Sequence, residues 1–262
     1  MPPWVRRLER GDDAGLFTED GPAWTVHAGM PTLVAGIRAL LMQALHPGAM
    51  AGVHDWSRYR EDPLGRLAGT VRWVICVTFG SEEQVDAELG RVARFHADVS
   101  GDYRDSTGAT RAYSAADADL VEWVHLAFTD AFLTCHETWG GPIPGGADAY
   151  VRDWATAGRL MGVTDPPETA AALRDRMHGY LDRGILRGDE RVQDVVRFLR
   201  RVPLDGSLRW AYRLLFAGAV ATIPRECRRM LGLRRSWLPV VAMTRFVLFV
   251  AGKSLGSGPR AH

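Results

Sequence analysis

The chain has 262 residues, of which 47% are hydrophobic and 24% are charged, as in an ordinary globular protein. Its 32 basic and 31 acidic residues leave a net charge of +1, which argues against a broad nucleic-acid-binding surface because such a surface needs a basic excess. Arginine supplies every basic residue except Lys253, so the chain holds almost no lysine for use as a catalytic base or Schiff-base nucleophile.

Cysteine usage and the first residues bear on the compartment. Cys76, Cys135 and Cys227 are far apart and show neither a CxxC pair nor a zinc-ligand spacing. The first residues lack the apolar core of a signal peptide. These features predict a cytoplasmic protein with unpaired thiols.

Apolar positions recur mainly with helical period along the first half of the chain. The pattern predicts a helix over residues 30–45 that Pro47 stops, and a second helix from Pro63 to about Phe79. Ser81, followed by acidic residues, predicts the N-cap of a third helix that ends at Gly101. Residues 102–112 are polar and predict a loop, after which Ser114 is the expected cap of a long helix reaching about residue 135.

The second half of the chain continues as helices after a break at residues 139–146, which are rich in glycine and proline. Five further helices are predicted, over residues 147–161, 167–181, 189–201, 207–221 and 237–251. No alternating strand and no hairpin signal is evident. The prediction is one all-helical domain of about eight to ten helices, over residues 25–262 after an N-terminal arm of residues 1–24.

The last predicted helix lies in an apolar stretch, residues 237–252, that Pro239 and Arg245 interrupt. With about 16 residues it is shorter than the roughly 20 that a membrane span needs. We interpret it as a buried or surface-docked terminal helix, with peripheral contact to a membrane as the alternative.

One imidazole, His96, stands out because its neighbours at helical spacing are apolar. Val85, Leu89, Val92 and Val99 share its predicted face, which places the ring on a buried stripe. A buried polar ring needs a partner, and two interpretations satisfy it: a backbone carbonyl bound to a core histidine, or an iron ion.

Other candidate residues flank the same predicted helices. Arg66 and Thr70 are four residues apart and share a helix face, where the arginine is placed to pair with a carboxylate or propionate or else to be solvated. His125 lies on an apolar face of the long helix, and His54 and Asp55 fall in a predicted loop that precedes Arg66.

Several catalytic signatures are missing from the sequence. It contains no GxGxxG after a strand, no GxxxxGK[ST], no GxSxG and no HExxH motif. Glu122 and His125 form one half of the Glu-x-x-His pattern of helical-bundle di-iron sites, but a second half is missing. His46, directly before Pro47, is expected to cap a helix.

Seven short motifs, taken together and in order, resemble the MpaB-type oxygenase family, which shares its catalytic domain with latex-clearing rubber oxygenases. The resemblance covers residues 25–165 best and the remainder more loosely. The motifs are Gln43-Ala-Leu-His-Pro47; His54-Asp-Trp-Ser57; Asp62-Pro-Leu-Gly-Arg66 with Thr70; Phe79-Gly80; Phe95-His-Ala-Asp-Val-Ser-Gly101; Tyr113-Ser-Ala115; and Glu122-Trp-Val-His125.

The resemblance implies a single globin-like, all-α domain with a buried pocket for haem b. It implies that His96 is the iron ligand, that Arg66 and Thr70 lie near the haem, and that His125 lines the pocket or orients another group. The sequence departs from the family pattern at Ser100, where an arginine is expected, and at Gly69, where rubber oxygenases have a lysine. The acidic base of those enzymes has no clear counterpart, so polyisoprene cleavage is not expected.

These inferences favour a haem b-dependent oxidoreductase that uses O₂ or peroxide on a small apolar substrate by oxygenation, oxidative cleavage or desaturation. His54, Asp55 and Arg66 are the candidate polar groups of the reaction. Two alternatives stay open: a non-catalytic helical protein that binds haem or another hydrophobic ligand, and a structural helical protein without a cofactor.

Overall fold

The computed structural model describes residue 13, residues 15–56 and residues 63–254, without the side chains of residues 63–68 and 207. Within these ranges the chain forms twelve helices and one two-stranded antiparallel sheet. In chain order the elements are α1 (Pro22–Ala28), α2 (Thr32–Gln43), α3 (Pro47–Trp56), α4 (Pro63–Phe79), α5 (Glu82–His96), β1 (Ser100–Arg104), β2 (Thr110–Ser114), α6 (Ala118–Trp139), α7 (Gly146–Leu160), α8 (Ala170–Asp182), α9 (Glu190–Arg200), α10 (Gly206–Thr222), α11 (Arg225–Met230) and α12 (Val240–Ser254).

Most of the predicted helices are confirmed to within a few residues. Helix α4 has the predicted bounds, and Ser81 caps α5 as expected. The Ser81 side chain accepts a hydrogen bond from the Gln84 amide, and the Gln84 side chain accepts one from the Ser81 amide. This reciprocal pair satisfies two amides at the start of α5 and so explains why the helix begins there.

Pro47 begins a helix as well as stopping one, and this corrects the prediction of a loop around His54 and Asp55. It is the first residue of α3, where the missing proline N–H costs nothing and its fixed φ suits a helix. His46 takes the expected capping role because its Nδ1 accepts the Gly48 amide at 3.2 Å. His54 and Asp55 therefore lie in the last turn of a helix.

Strands β1 and β2 replace the loop predicted over residues 102–112. Gly101 pairs with Tyr113 in the antiparallel register. The connecting turn is closed by Asp105, which accepts the amides of Thr107 and Ala109, and Gly108 adopts a φ of +87°. Polar side chains on both strands removed the alternation by which a hairpin is normally predicted.

The N-cap of the long helix α6 lies three residues later than the position predicted for it, Ser114. Asp117 occupies the N-cap position, and its carboxylate accepts the Ser114 amide at 2.8 Å. Residues 114–117 therefore connect β2 to α6.

The core is built around α2 and α6, which pack along each other. Trp123 and Leu41 are fully buried, and Arg38 of α2 pairs with Asp130 of α6 at 2.5 Å. Helices α7, α8 and α10 surround this pair and contribute the buried side chains of Trp154, Tyr180 and Phe216, among others. The domain boundary predicted at residue 24 stays a prediction, although Phe17 and Trp24 on its N-terminal side are both buried.

By length and composition, no single helix among the described residues would cross a membrane, whereas the bent pair α1 and α2 meets that test together. The terminal helix α12 buries one face through Val240, Thr244 and Val247. One face of this helix is therefore docked on the domain, and its contact with a membrane stays a prediction.

Candidate functional site

An apolar cavity of about 380 Å³ lies between α2, α3, α4, α6, α9 and α10. Ile37 and Leu40 of α2, Val74 of α4 and Phe132 of α6 form much of its wall, and its polar lining residues are few. The full lining is His27, Thr32, Leu33, Gly36, Ile37, Leu40, Gln43, Ala44, Ala49, Met50, Val53, Thr70, Val71, Val74, Ile75, Phe79, Phe128, Phe132, Val195, Phe198, Leu199, Val202, Leu204, Tyr212 and Leu215. A cavity of this size and lining suits a small apolar ligand.

The cavity reaches the surface beside the first turn of α2 and the middle of α4. Leu33 and Val71 both line it, yet 44% of Leu33 and 45% of Val71 are exposed. Phe79 and Phe132, in contrast, are almost completely buried. A ligand can therefore enter past the exposed residues while the far wall stays dry.

His27 is the histidine of the cavity wall, and the sequence analysis did not select it. Its Nδ1 lies 2.8 Å from the Thr78 hydroxyl and its Nε2 lies 3.0 Å from the Tyr150 hydroxyl. Complete burial, followed by repulsion from His136, lowers the pKa of His27 to about 3. The ring is thus neutral and both of its nitrogens are engaged, so it is not placed to bind iron. The sequence feature that could have placed His27 on a helix is Pro22, which begins α1 five residues earlier.

Thr70 lies in the first half of α4 and lines the cavity, and its proximity to a haem stays a prediction. Arg66 is one turn earlier on the same helix, but its side chain lies outside the described residues. Only one member of the predicted pair is therefore located at the cavity.

His96 corrects the prediction of a buried stripe. It is the last residue of α5 and is exposed to solvent, as is Phe95 beside it. Burial in α5 is confined to Val85 and Glu88, where Glu88 pairs with Arg72 of α4. Periodicity identified residues on one helix face correctly, but no described element covers the end of that face. His96 is not among the residues that line the cavity.

The end of α3 nevertheless contacts β1, the strand that follows α5. The Trp56 indole donates a hydrogen bond to the Ser100 carbonyl at 2.9 Å, four residues after His96. Ala49, Met50 and Val53 of α3 line the cavity, so the chain that follows α5 adjoins a helix of the cavity wall.

His54 and Asp55 lie at this end of α3 too. His54 Nδ1 is 2.9 Å from an Asp55 carboxylate oxygen. The same carboxylate group accepts a hydrogen bond from the Tyr113 hydroxyl at 3.4 Å and lies 3.6 Å from the Arg191 guanidinium. Neither residue lines the cavity, so the structure places this polar cluster beside the cavity wall and not in it.

His125 faces the protein interior, as the sequence predicted, but it does not line the cavity. It packs against Gly158 of α7, is 7% exposed, and is not among the cavity-lining residues. Its Nε2 is buried with no hydrogen-bond partner. Burial, and secondarily the charge of Arg159, lowers the pKa of His125 to about 4.

A family model described as "ER-bound oxygenase mpaB/B'/Rubber oxygenase, catalytic domain" matches residues 24–252. The chain belongs to this oxygenase family. No curated protein and no solved structure shows a significant match. The resemblance drawn from seven motifs is confirmed, and the match extends well beyond residue 165 into the C-terminal helices.

The cavity of this mpaB/rubber-oxygenase domain meets some of the requirements of haem b, which the resemblance implies. Its apolar lining suits a macrocycle, and Thr70 is one of its few polar lining residues. Among the described residues, the cavity wall supplies no imidazole nitrogen for the iron, because both ring nitrogens of His27 are hydrogen-bonded. No group of three or more metal-binding side chains occurs among the described residues, but a haem iron needs only one imidazole from the protein.

Proposed function

We propose that this protein is a haem b-dependent oxygenase that acts on a small apolar organic substrate with O₂ or peroxide. The observation that carries the proposal is the apolar cavity of about 380 Å³ in a chain that belongs to an oxygenase family. Apolar walls favour an apolar substrate and exclude water from the reaction. The reaction belongs to the class of oxygenation, oxidative cleavage of a carbon–carbon double bond, or desaturation.

His96 is the iron ligand in this proposal. Two points support it: the segment around His96 resembles the family's ligand motif, and the segment after α5 is bonded to the end of α3, a helix of the cavity wall. Because His96 is exposed and outside the lining, ligation requires the end of α5 to approach the cavity. The bound haem would supply activation of O₂ or peroxide.

The remaining predicted residues have roles in binding and orientation. Thr70 places a hydroxyl in the cavity, and Arg66, one turn earlier, would pair with an anionic edge such as a haem propionate. Asp55 holds His54 at 2.9 Å beside the cavity wall, where the imidazole can carry a proton to or from the site. His125 supports the scaffold from the α6–α7 contact and takes no part in the reaction.

The absorption spectrum after reconstitution with haem tests the ligand assignment. We expect a Soret band in the wild-type protein and its loss, or a shift to a free-haem spectrum, in His96→Ala. His178→Ala removes another exposed histidine, on α8, and is the matched control that should keep the band. A band that survives His96→Ala unchanged, or that is lost equally in His178→Ala, contradicts the assignment.

A non-catalytic carrier of haem or another hydrophobic ligand is the second candidate, since the same apolar lining favours it. Turnover separates the two functions. Consumption of O₂ or peroxide that depends on an added unsaturated apolar compound supports the oxygenase. Stoichiometric binding of that compound without consumption supports the carrier.

A further inference from the structure

The positive charge of the protein is concentrated in its last helices. Residues 206–254 contain nine basic residues and a single acidic one, Glu226, whereas the whole chain has a net charge of only +1. The rest of the chain is therefore net acidic. Eight of the nine basic side chains are exposed. Among the described residues, the ion pairs involve other side chains and leave these nine without a carboxylate partner.

Large aromatic side chains are exposed on the same helices. Trp210 of α10, Trp237 just before α12, and Phe246 and Phe249 of α12 are all more than half exposed, and Trp237 reaches 91%. We call these four residues the aromatic face. Exposing apolar rings to water is costly, and a cluster of them marks a surface that contacts an apolar partner.

Two residues of the aromatic face share one surface, and basic side chains lie close to all four in space or in sequence. Trp210 and Phe246 line one shallow depression between α10 and α12. The Lys253 ammonium lies 4.7 Å from the centre of the Phe249 ring. Arg213 follows Trp210 by one helical turn, and Arg234 and Arg235 lead into Trp237.

We propose that this surface docks the protein on an anionic lipid bilayer. Tryptophan and phenylalanine insert favourably at the boundary between lipid headgroups and acyl chains, and arginine and lysine bind the anionic headgroups around them. Each basic residue close to such a surface adds to the attraction. The exposed rings therefore suit the acyl-chain boundary, and the bordering cations suit the anionic headgroups above it.

A second copy of the chain fits this surface poorly. A symmetric dimer through the aromatic face would place the same patch on both sides and so bring two sets of unpaired cations together. Such like-charge contact opposes association. A nucleic acid would satisfy the cations but would leave the phenylalanine and aliphatic side chains of α12 without an apolar environment.

Flotation with lipid vesicles tests the proposal, with phosphatidylcholine vesicles compared with vesicles that also contain about one third phosphatidylglycerol. The full chain should bind the anionic vesicles and should be released by high salt, which screens the headgroup attraction. Arg234→Glu/Arg235→Glu should weaken binding roughly tenfold or more. Trp237→Ala should weaken it several-fold without loss of fold, because the ring is almost fully exposed.

Arg152→Glu/Arg174→Glu is the matched control, since it makes the same change in net charge at two exposed positions on α7 and α8. This variant should bind anionic vesicles nearly as well as the wild type. Equal binding to neutral and anionic vesicles, equal weakening by the control pair, or no binding at all would overturn the proposal. So would a dimer in solution that Trp237→Ala dissociates, or tighter binding to duplex DNA than to the vesicles.

Discussion

Histidines in this protein differ sharply in environment although the sequence gives them similar neighbours. His27 and His125 are buried in neutral form, and desolvation is the main reason for the low pKa of each. Burial also lowers the pKa of His136. His96 is exposed at a helix end. The buried histidines are therefore structural groups whose protonation opposes folding, whereas the His96 side chain is exposed to solvent.

The buried histidines should make the protein acid-sensitive. Their pKa values of about 3 and about 4 in the folded state lie below the ordinary value of 6.5, so the unfolded chain binds protons that the folded chain refuses. Stability is then fully present above pH 6.5 and falls as the pH drops toward 4. Each histidine contributes a slope of at most about 1.4 kcal/mol per pH unit.

Urea unfolding between pH 5 and pH 7 measures this slope. His125→Gln should remove the contribution of one buried histidine to the pH dependence of the free energy of unfolding. His178→Gln, at an exposed position, should leave that pH dependence unchanged. A free energy of unfolding that stays constant over this range would show that the buried histidines are protonated in the folded protein.

At the scale of elements, helix packing decides which residues meet. Helices α6 and α7 approach closely where His125 faces Gly158, and only a residue without a side chain permits this distance. A Cβ atom on Gly158 would lie 2.8 Å from His125 Cε1. The glycine inside α7 thus explains why His125 packs against that helix.

Gly158→Ala should therefore destabilise the protein although alanine favours helices. Overpacking against a buried ring costs roughly 1–3 kcal/mol, more than the gain in helix propensity. Gly69→Ala in α4 is the control, because a Cβ there meets no atom within 4 Å and should stabilise by about 0.5–1 kcal/mol. Thermal or urea unfolding of both variants gives the comparison, and a Gly158→Ala protein as stable as Gly69→Ala would disprove the close approach.

The element bounds could be predicted largely from local signals. Proline at the first position and the Ser81–Gln84 pair act within a few residues, and they locate α4 and α5 correctly. The hairpin and α3 were missed because polar strands carry no alternation and because a proline was interpreted only as a stop. The short helices α1 and α11 were not predicted either, so the described residues hold twelve helices where eight to ten were expected. Local interactions define these elements, but the sequence patterns that mark them also fit a loop.

At the scale of the whole molecule, the cavity joins segments that are far apart in the chain. Gly36 of α2, Thr70 of α4, Phe128 of α6 and Leu215 of α10 all line it. No local pattern relates these residues, so the cavity arises only when the helices pack around α2 and α6. Its apolar lining is the physical basis of the proposed substrate class.

Filling the cavity should abolish ligand binding while the fold persists. Gly36→Leu places a side chain in the cavity from a position where a Cβ meets no atom within 4 Å. Binding of an apolar fluorescent probe, and of haem, should weaken by roughly tenfold or more, since each buried methylene of lost contact is worth ~0.8 kcal/mol.

Gly179→Leu makes the same substitution on α8, away from the cavity lining, and should leave probe binding unchanged. Circular dichroism and thermal unfolding establish that both variants are folded. Unaltered probe binding in Gly36→Leu would show that the ligand occupies another part of the protein.

The sequence by itself determined the helical class, most helix ends and the membership of an oxygenase family. It did so because caps, prolines, periodicity and ordered motifs are properties of short segments. Only the tertiary structure decided that His96 is exposed, that His27 lines the cavity, and that the aromatic face of α10 and α12 is uncovered. Burial depends on which distant segments pack together, and helical period identifies a face without identifying what covers it.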